Sequence, residues 1–400
     1  MEQTFWEKIK RVKGKDILHI FKFLLAWIIT RFMKGKHKNL WLFCDTENEA
    51  RDNGYWLYKY VRENHPEQEA VFAINDKSPD WKRASVLGKT VPYGSLKHWI
   101  YYLLAEKNIS SQKMGKPNAA ICYFLEVYGI LKNIRIFLQH GIITANLTFL
   151  YYPHTKMRMF VCSTYKEWKY VNDHYGYPEG WVKELGLCRF DQLHDFQVDS
   201  KQILIMPTWR MYIRNEIHSS SQEKELERFK ETAYFQYWNQ LLNHRELQKL
   251  IREQGFRIVF YPHREMQRFL NAFQIEDGNI TIASWPDYDV QELLKSSACL
   301  ITDFSSVAMD FAYMKKPLIY YQFDNCKFRE SHHGVGDFDF EEEGFGPVCQ
   351  EADQVIQCLK EMVEFNFQNK NKYLERHEQY FDLWDAENCK RNYEAIKEIK

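Results

Sequence analysis

The feature that most restricts this chain is an alternation of short apolar runs with stretches of helical spacing. The runs fall at residues 40–43, 70–74, 108–109, 134–138 and 159–162. A second series follows at 202–206, 256–260, 280–282, 299–302 and 317–320. Runs this short, apolar on both faces and separated by helix-length segments, are the pattern of parallel strands covered on both sides by helices. The expected fold class is therefore α/β, in two similar halves. Four hundred residues suit two domains. The expected boundaries are 1–38 for a basic amphipathic segment, 39–195 for an N-terminal domain and 196–400 for a C-terminal domain. A polar linker at 191–201 joins the two, and helices at 352–364 and 370–399 close the chain. No internal sequence repeat is present. In parallel sheets ligands sit beyond the carboxyl ends of the strands, so the cleft between two such domains is where chemistry is expected.

Charge narrows the partners. Lys plus Arg (54) equals Asp plus Glu (54), so no global positive field argues for nucleic acid. The nine cysteines are scattered and show no C-x-x-C spacing, so neither a disulfide framework nor a zinc cage is expected, and a reducing compartment follows. No run reaches the roughly 20 apolar residues of a spanning helix. The local anomaly is residues 1–38, with ten Lys/Arg against three acids. Between its basic blocks lies a helix-compatible stretch, 17–29, apolar on most of its circumference, with Trp6 and Trp27 expected at headgroup depth. That pattern suits a helix lying in a membrane interface. The alternative is a terminal helix packed on its own domain.

The strand ends carry the candidate chemistry. The strand at 134–138 delivers Gln139, His140 and Gly141. The histidine can accept a hydroxyl proton near neutral pH, and the glycine permits a tight turn close to a ligand. The strand at 202–206 delivers Thr208, a hydroxyl, and Arg210, a charged planar fork for phosphate oxygens. The strand at 256–260 delivers His263 and Arg264. After 299–302 come Asp303, suited to a ribose or polyol hydroxyl, and Ser305 and Ser306. Either serine can cap a helix whose N–H groups would receive phosphate, with Asp310 inside that helix. Ordinary turn and capping roles are the alternative for each. Asp337 and Asp339 read as a solvated loop, and His332-His333 lack further ligands at fixed spacing, so no metal and no cofactor is expected. The absence of G-x-G-x-x-G and of a P-loop argues against dinucleotide oxidoreductases and Walker-type NTPases.

Taken together, these segments resemble the CDP-glycerol glycerophosphotransferase family, whose members extend teichoic acids and capsule polymers. The likeness runs through Asp52-Asn53-Gly54-Tyr55, Leu138-Gln139-His140-Gly141, Gly186-Leu187-Cys188-Arg189-Phe190-Asp191, Met206-Pro207-Thr208-Trp209-Arg210, Pro262-His263, and Leu300 to Ser306 with Asp310. It implies two Rossmann-like domains facing a cleft, in a glycosyltransferase-B-like fold. It implies a CDP-glycerol or CDP-ribitol donor, a lipid-linked saccharide or polyol acceptor, no metal, and peripheral attachment to the cytoplasmic face of the cell membrane. Carried onto this chain, the family's histidines fall on His140 and His263, its arginine on Arg210, and its phosphate-binding serines on Ser305 and Ser306. Asp52 and Asn53 join the candidate site through their motif. The family's His-Gly-Thr-Pro reads His140-Gly141-Ile142-Ile143 here, and Arg264 stands where the family has proline. The expectation leaves room for a homo-oligomer. Rival readings are a nucleotide-sugar glycosyltransferase or UDP-sugar epimerase of the same fold, and a non-catalytic membrane-bound scaffold of capsule assembly.

Overall fold

Each of the apolar runs is a strand in a computed structural model, which describes residues 14–33, 35, 37–219, 221–331 and 334–400. The chain divides into two units. The first contains β1 (Trp41–Cys44), β2 (Ala70–Ile74), β3 (Thr90–Pro92), β4 (Lys107–Ser110) and β5 (Ile134–Phe137). The short β6 (Ala145–Asn146) leaves it, and β7 (Met159–Cys162) and β8 (Val182–Glu184) complete it. Their order is β3-β2-β1-β4-β5-β7-β8, parallel throughout. Alternate residues serve opposite layers, because side chains on a strand alternate faces. Trp41 and Phe43 join one apolar cluster, and Leu42 and Cys44 the other.

The second unit holds β9 (Asp199–Ile205), β10 (Arg257–Phe260), β11 (Ile280–Ile282), β12 (Ser297–Thr302), β13 (Leu318–Tyr321), β14 (Gly334–Val335) and β15 (Val348–Cys349). Its main sheet runs β11-β10-β9-β12-β13-β15, again all parallel. In each sheet the strand order reverses at one place, β1/β4 in the first and β9/β12 in the second. Those are the positions where loops diverge and leave a crevice.

Two boundaries differ from the sequence expectation. Residues 385–400, expected in the C-terminal domain, belong to the first unit, and residues 143–147 belong to the second. Asp191 explains the first difference. Its carboxylate accepts the backbone N–H groups of Asn388 and Cys389, both at 2.8 Å, at the start of the helix Asn388–Lys397. Gly186, at φ 78°, makes room, since a Cβ there would sit 1.6 Å from Asn388 Oδ1. Cys389, Tyr393 and Ile396 then bury beside Trp41. For the second difference, β6 pairs antiparallel with β14.

The basic segment is described from residue 14 onward; residues 1–13, Trp6 among them, lie outside the described residues. The helix Gly14–Met33 docks by one face on the helix Leu96–Leu104. Ala26 is buried, Phe23 meets Trp99 edge-on, Trp99 donates to His19, and Lys22 Nζ donates to the Gly94 carbonyl at 2.8 Å. The other side leaves Leu18, Phe21, Leu25, Ile28 and Phe32 exposed, with the Arg31 guanidinium stacked on Trp27. Among the described residues no helix is long and apolar enough to cross a membrane.

Candidate functional site

In the first unit His140 stands just past β5 and is exposed, with 63% of its side-chain surface accessible. Its Nδ1 lies 2.5 Å from Asp52 Oδ2. The other Asp52 oxygen takes the Arg189 guanidinium at 3.0 Å, and the same Arg189 nitrogen donates to the His140 carbonyl. Asn53, fully buried, ties the elements together: its Nδ2 donates to the Gln139 carbonyl at 2.7 Å and its Oδ1 accepts from Arg189 N–H at 2.9 Å. The left-handed backbone position at this strand end is Gln139, at φ 69°, rather than Gly141, where the turn was expected. Gln139 holds it by donating to Glu167 at 3.0 Å. Burial works against the Asp52 charge, but His140 and then Arg189 outweigh it and hold the carboxyl below its usual range.

Behind Asp52 lies Asp45, sealed at the end of β1. Its Oδ1 accepts from Ser111, which follows β4, at 2.7 Å, and its Oδ2 accepts the Asp52 and Tyr55 N–H groups, each at 3.1 Å. Burial, then the nearby Asp52 charge, push the Asp45 carboxyl up to about 7. Gly54 is obligatory beside it, because a Cβ would come within 2.4 Å of Asp45 Oδ1.

In the second unit the strand ends are organised around Arg210, and here the structure corrects the sequence reading. Arg210 is fully buried rather than presented to phosphate. Its guanidinium pairs with Asp324 through two bonds, 2.7 and 2.9 Å, and with Asp303 at 2.8 Å. Phe304 and Phe328, stacked on each other, flank it. Burial pulls the guanidinium down, yet Asp303 and then Asp324 more than reverse this and raise its pKa. Asp303 is not available to a hydroxyl either: its Oδ1 accepts from Thr208 N–H at 2.9 Å and Phe304 N–H at 2.7 Å. Burial raises its carboxyl, and Arg210 opposes that.

What this framework presents is a set of half-buried groups: Thr208, His263, Ser305 and Ser306. The helix after the serines, Val307–Tyr313, is short, and Ser306 at its start makes no side-chain capping bond, contrary to the expected cap. Asp310 lies inside that helix, buried. His263 caps the turn Arg264–Ala272 by accepting Glu265 N–H on Nδ1 at 3.2 Å, and its ring stacks on Trp209. That bond places the histidine's proton on Nε2, a donor. Arg264 stacks on Trp285 at 4.1 Å. Asp339 turns its carboxylate onto the N–H groups of Glu341 and Glu342, the solvated-loop reading. His332 and His333 lie outside the described residues, and among those described no group of three or more acidic, His or Cys side chains is arranged for a metal.

Sequence reasoning did not single out Asp45, Arg189 or Asp324. Asp45 follows β1 directly and Asp324 comes just after β13, so the strand-end rule applied to every strand would have reached both. Arg189 sits inside a motif already noted.

Residues 25–398 match the model of the CDP-Glycerol:Poly(glycerophosphate) glycerophosphotransferase family. The chain belongs to this family. It is 32% identical over 407 residues to the minor teichoic acid biosynthesis protein GgaB of Bacillus subtilis strain 168, covering 98% of this chain and 43% of that protein. It is 24% identical to the teichoic acid poly(glycerol phosphate) polymerase of the same organism, over 89% of this chain and 48% of the relative. The chain thus spans less than half the length of these two relatives. Among solved structures, the wall teichoic acid polymerase TagF superimposes with a TM-score of 0.67 at 17% identity, covering 99% of this chain and 98% of that one. A UDP-GlcNAc 2-epimerase of Methanocaldococcus jannaschii gives 0.52 at 11%, covering 90% and 99%. Both likenesses speak to the fold.

Proposed function

We propose that this member of the glycerophosphotransferase family transfers glycerol phosphate or ribitol phosphate from a CDP-activated donor to a hydroxyl of a lipid-linked acceptor, releasing CMP. The observation that carries this reading is the His140–Asp52 pair, held at 2.5 Å at a strand end of a chain of this family. Donation of the Nδ1 proton to Asp52 puts the basic lone pair on Nε2. Asp52, kept ionised by Arg189, stabilises the imidazolium that forms as the hydroxyl loses its proton. The hydroxyl oxygen then attacks the β-phosphorus. The bond to the bridging oxygen breaks, and CMP leaves with the electron pair.

On the donor side, His263 Nε2–H, the Thr208 hydroxyl and Ser305 with Ser306 donate to the pyrophosphate oxygens as charge develops. Arg210 acts as a positioning residue, with Asp303 and Asp324, by fixing the loops that carry these donors. The exposed apolar face of Gly14–Met33, in a segment rich in Lys and Arg by sequence, fits a membrane interface and would bring the site to a lipid-linked acceptor. Incubation with CDP-glycerol, CDP-ribitol or a UDP-sugar, with and without lipid-linked acceptor, tests the reading. CMP release that requires acceptor is the expected result; UDP release, or no nucleotide release from any donor, contradicts it.

A further inference from the structure

The helix Asn53–Asn64 begins in an unusual way. An aspartate at the position before a helix ordinarily turns its carboxylate onto the N–H two or three residues ahead, satisfying a donor that the helix leaves orphaned. Asp52 occupies that position, but of the N–H groups at the helix start its carboxylate accepts the adjacent Asn53 N–H, at 2.8 Å, and not those two or three residues ahead. The N–H of Tyr55, three residues ahead, goes instead to Asp45 Oδ2 at 3.1 Å, and the N–H of Asp52 itself goes to the same oxygen at 3.1 Å. Asp45 is not part of the helix. It comes from the end of β1, is fully buried, and is pinned by Ser111 from beyond β4. Gly54 lets it approach, since any Cβ would collide with its carboxylate.

We propose that Asp45 is a positioning residue for the transfer reaction: by capping the helix in place of Asp52, it leaves the Asp52 carboxylate to hold His140 and Arg189. One carboxylate does the structural work at the helix start, and the second is thereby available to the imidazole. Without Asp45, the Tyr55 N–H is orphaned, and Asp52, at the capping position, is the side chain placed to take it. Rotation of Asp52 onto its own helix would remove the contact on His140 Nδ1.

The inference rests on the proposed function for its kinetic consequence but not for its structural one, so two readouts are used. The first is 15N NMR of His140 in the full chain, wild type against Asp45→Ala, which removes both accepting oxygens, and Ser111→Ala, the milder change. Wild type should show Nδ1 protonated and hydrogen-bonded at neutral pH, and both variants should weaken that signature. An unchanged His140 spectrum in folded Asp45→Ala or Ser111→Ala overturns the proposal. The second is a double-mutant cycle on CMP release. Asp45→Ala should lower kcat by about 10-fold with KM for the CDP donor unchanged, the size of effect expected when a group that orients a reacting side chain is lost. In an Asp52→Asn background the same substitution should cost almost nothing. Equal losses in both backgrounds, or a rise in donor KM in place of the fall in kcat, mean that Asp45 acts only on folding and overturn the proposal. If wild type releases no nucleotide, the functional reading fails while the NMR comparison still decides the role of Asp45.

Discussion

At the strand ends of the first unit the reactive group is exposed and its partners lie near the surface: His140 has 63% of its side chain accessible, and Arg189 and Asp52 are half-buried. At the strand ends of the second unit a charged cluster is sealed. Arg210 is buried among aromatic rings with Asp303 and Asp324, while Thr208, His263, Ser305 and Ser306 are half-exposed and Arg264 stays exposed against Trp285. Under the proposed function the difference follows from what each must do. A proton acceptor must meet a hydroxyl directly, so its charge partner can only stand behind it. On that proposal a loop that binds phosphate through neutral donors needs shape more than free charge, and a buried ion cluster supplies shape.

The first way to break this contrast is to remove the exposed group. His140→Ala should reduce CMP release by about 10²–10⁴-fold, the usual contribution of a general base, with an unchanged melting temperature. The reverse pattern is expected in the second unit. Arg210→Ala leaves two buried carboxylates facing each other and should cost about 3–5 kcal/mol of stability, read by urea unfolding. If Arg210→Ala folds as wild type does and loses only donor affinity, Arg210 is a phosphate ligand after all and the contrast disappears.

Much of this was legible before the structure because the physics is local. A buried parallel strand must be apolar on both faces, so β1, β2, β5, β9 and β12 announced themselves, as did the helix Ala352–Glu364 with its regular apolar spacing. β3 and β8 did not, being short strands at the edges of their sheet and only partly apolar. His140 and His263 were found from their place after strands. The burial of Arg210 was not, because it depends on Asp324 and Phe328, more than a hundred residues away in sequence. Likewise the return of residues 385–400 to the first unit turns on Asp191 and the missing Cβ of Gly186, a long-range fit with no periodic signature.

The remaining predictions sharpen the contrast within the first unit. Replacing Phe21, Leu25 and Phe32 together by serine should lower co-sedimentation with anionic vesicles, at about 1–2 kcal/mol for each side chain that inserts, and leave stability unchanged because all three are exposed. Unchanged sedimentation would leave that face without a lipid role. A further effect is on acid stability. His98 is buried, its Nδ1 accepting from Gly94 N–H, and burial, then the nearby His19, lower its pKa to about 3. The unfolded chain takes up this proton near pH 6.5 and the folded chain only near 3. Between those values the unfolded state binds more protons, so stability is full above pH 6.5 and falls as pH drops, by about 1.4 kcal/mol per unit. Asp45, with its raised pKa, acts in the opposite direction between about pH 4 and 7. The effect is therefore read as the difference between wild type and His98→Gln, which should shrink on acidification.

The most direct test of the central claim is the mass of the acceptor after incubation with CDP-glycerol or CDP-ribitol, for wild type and His140→Ala side by side. The account predicts that wild type adds one or more polyol phosphate units with equivalent CMP release, and that folded His140→Ala adds almost none in the same time. An acceptor of unchanged mass with wild type, or equal extension by both proteins, would contradict it.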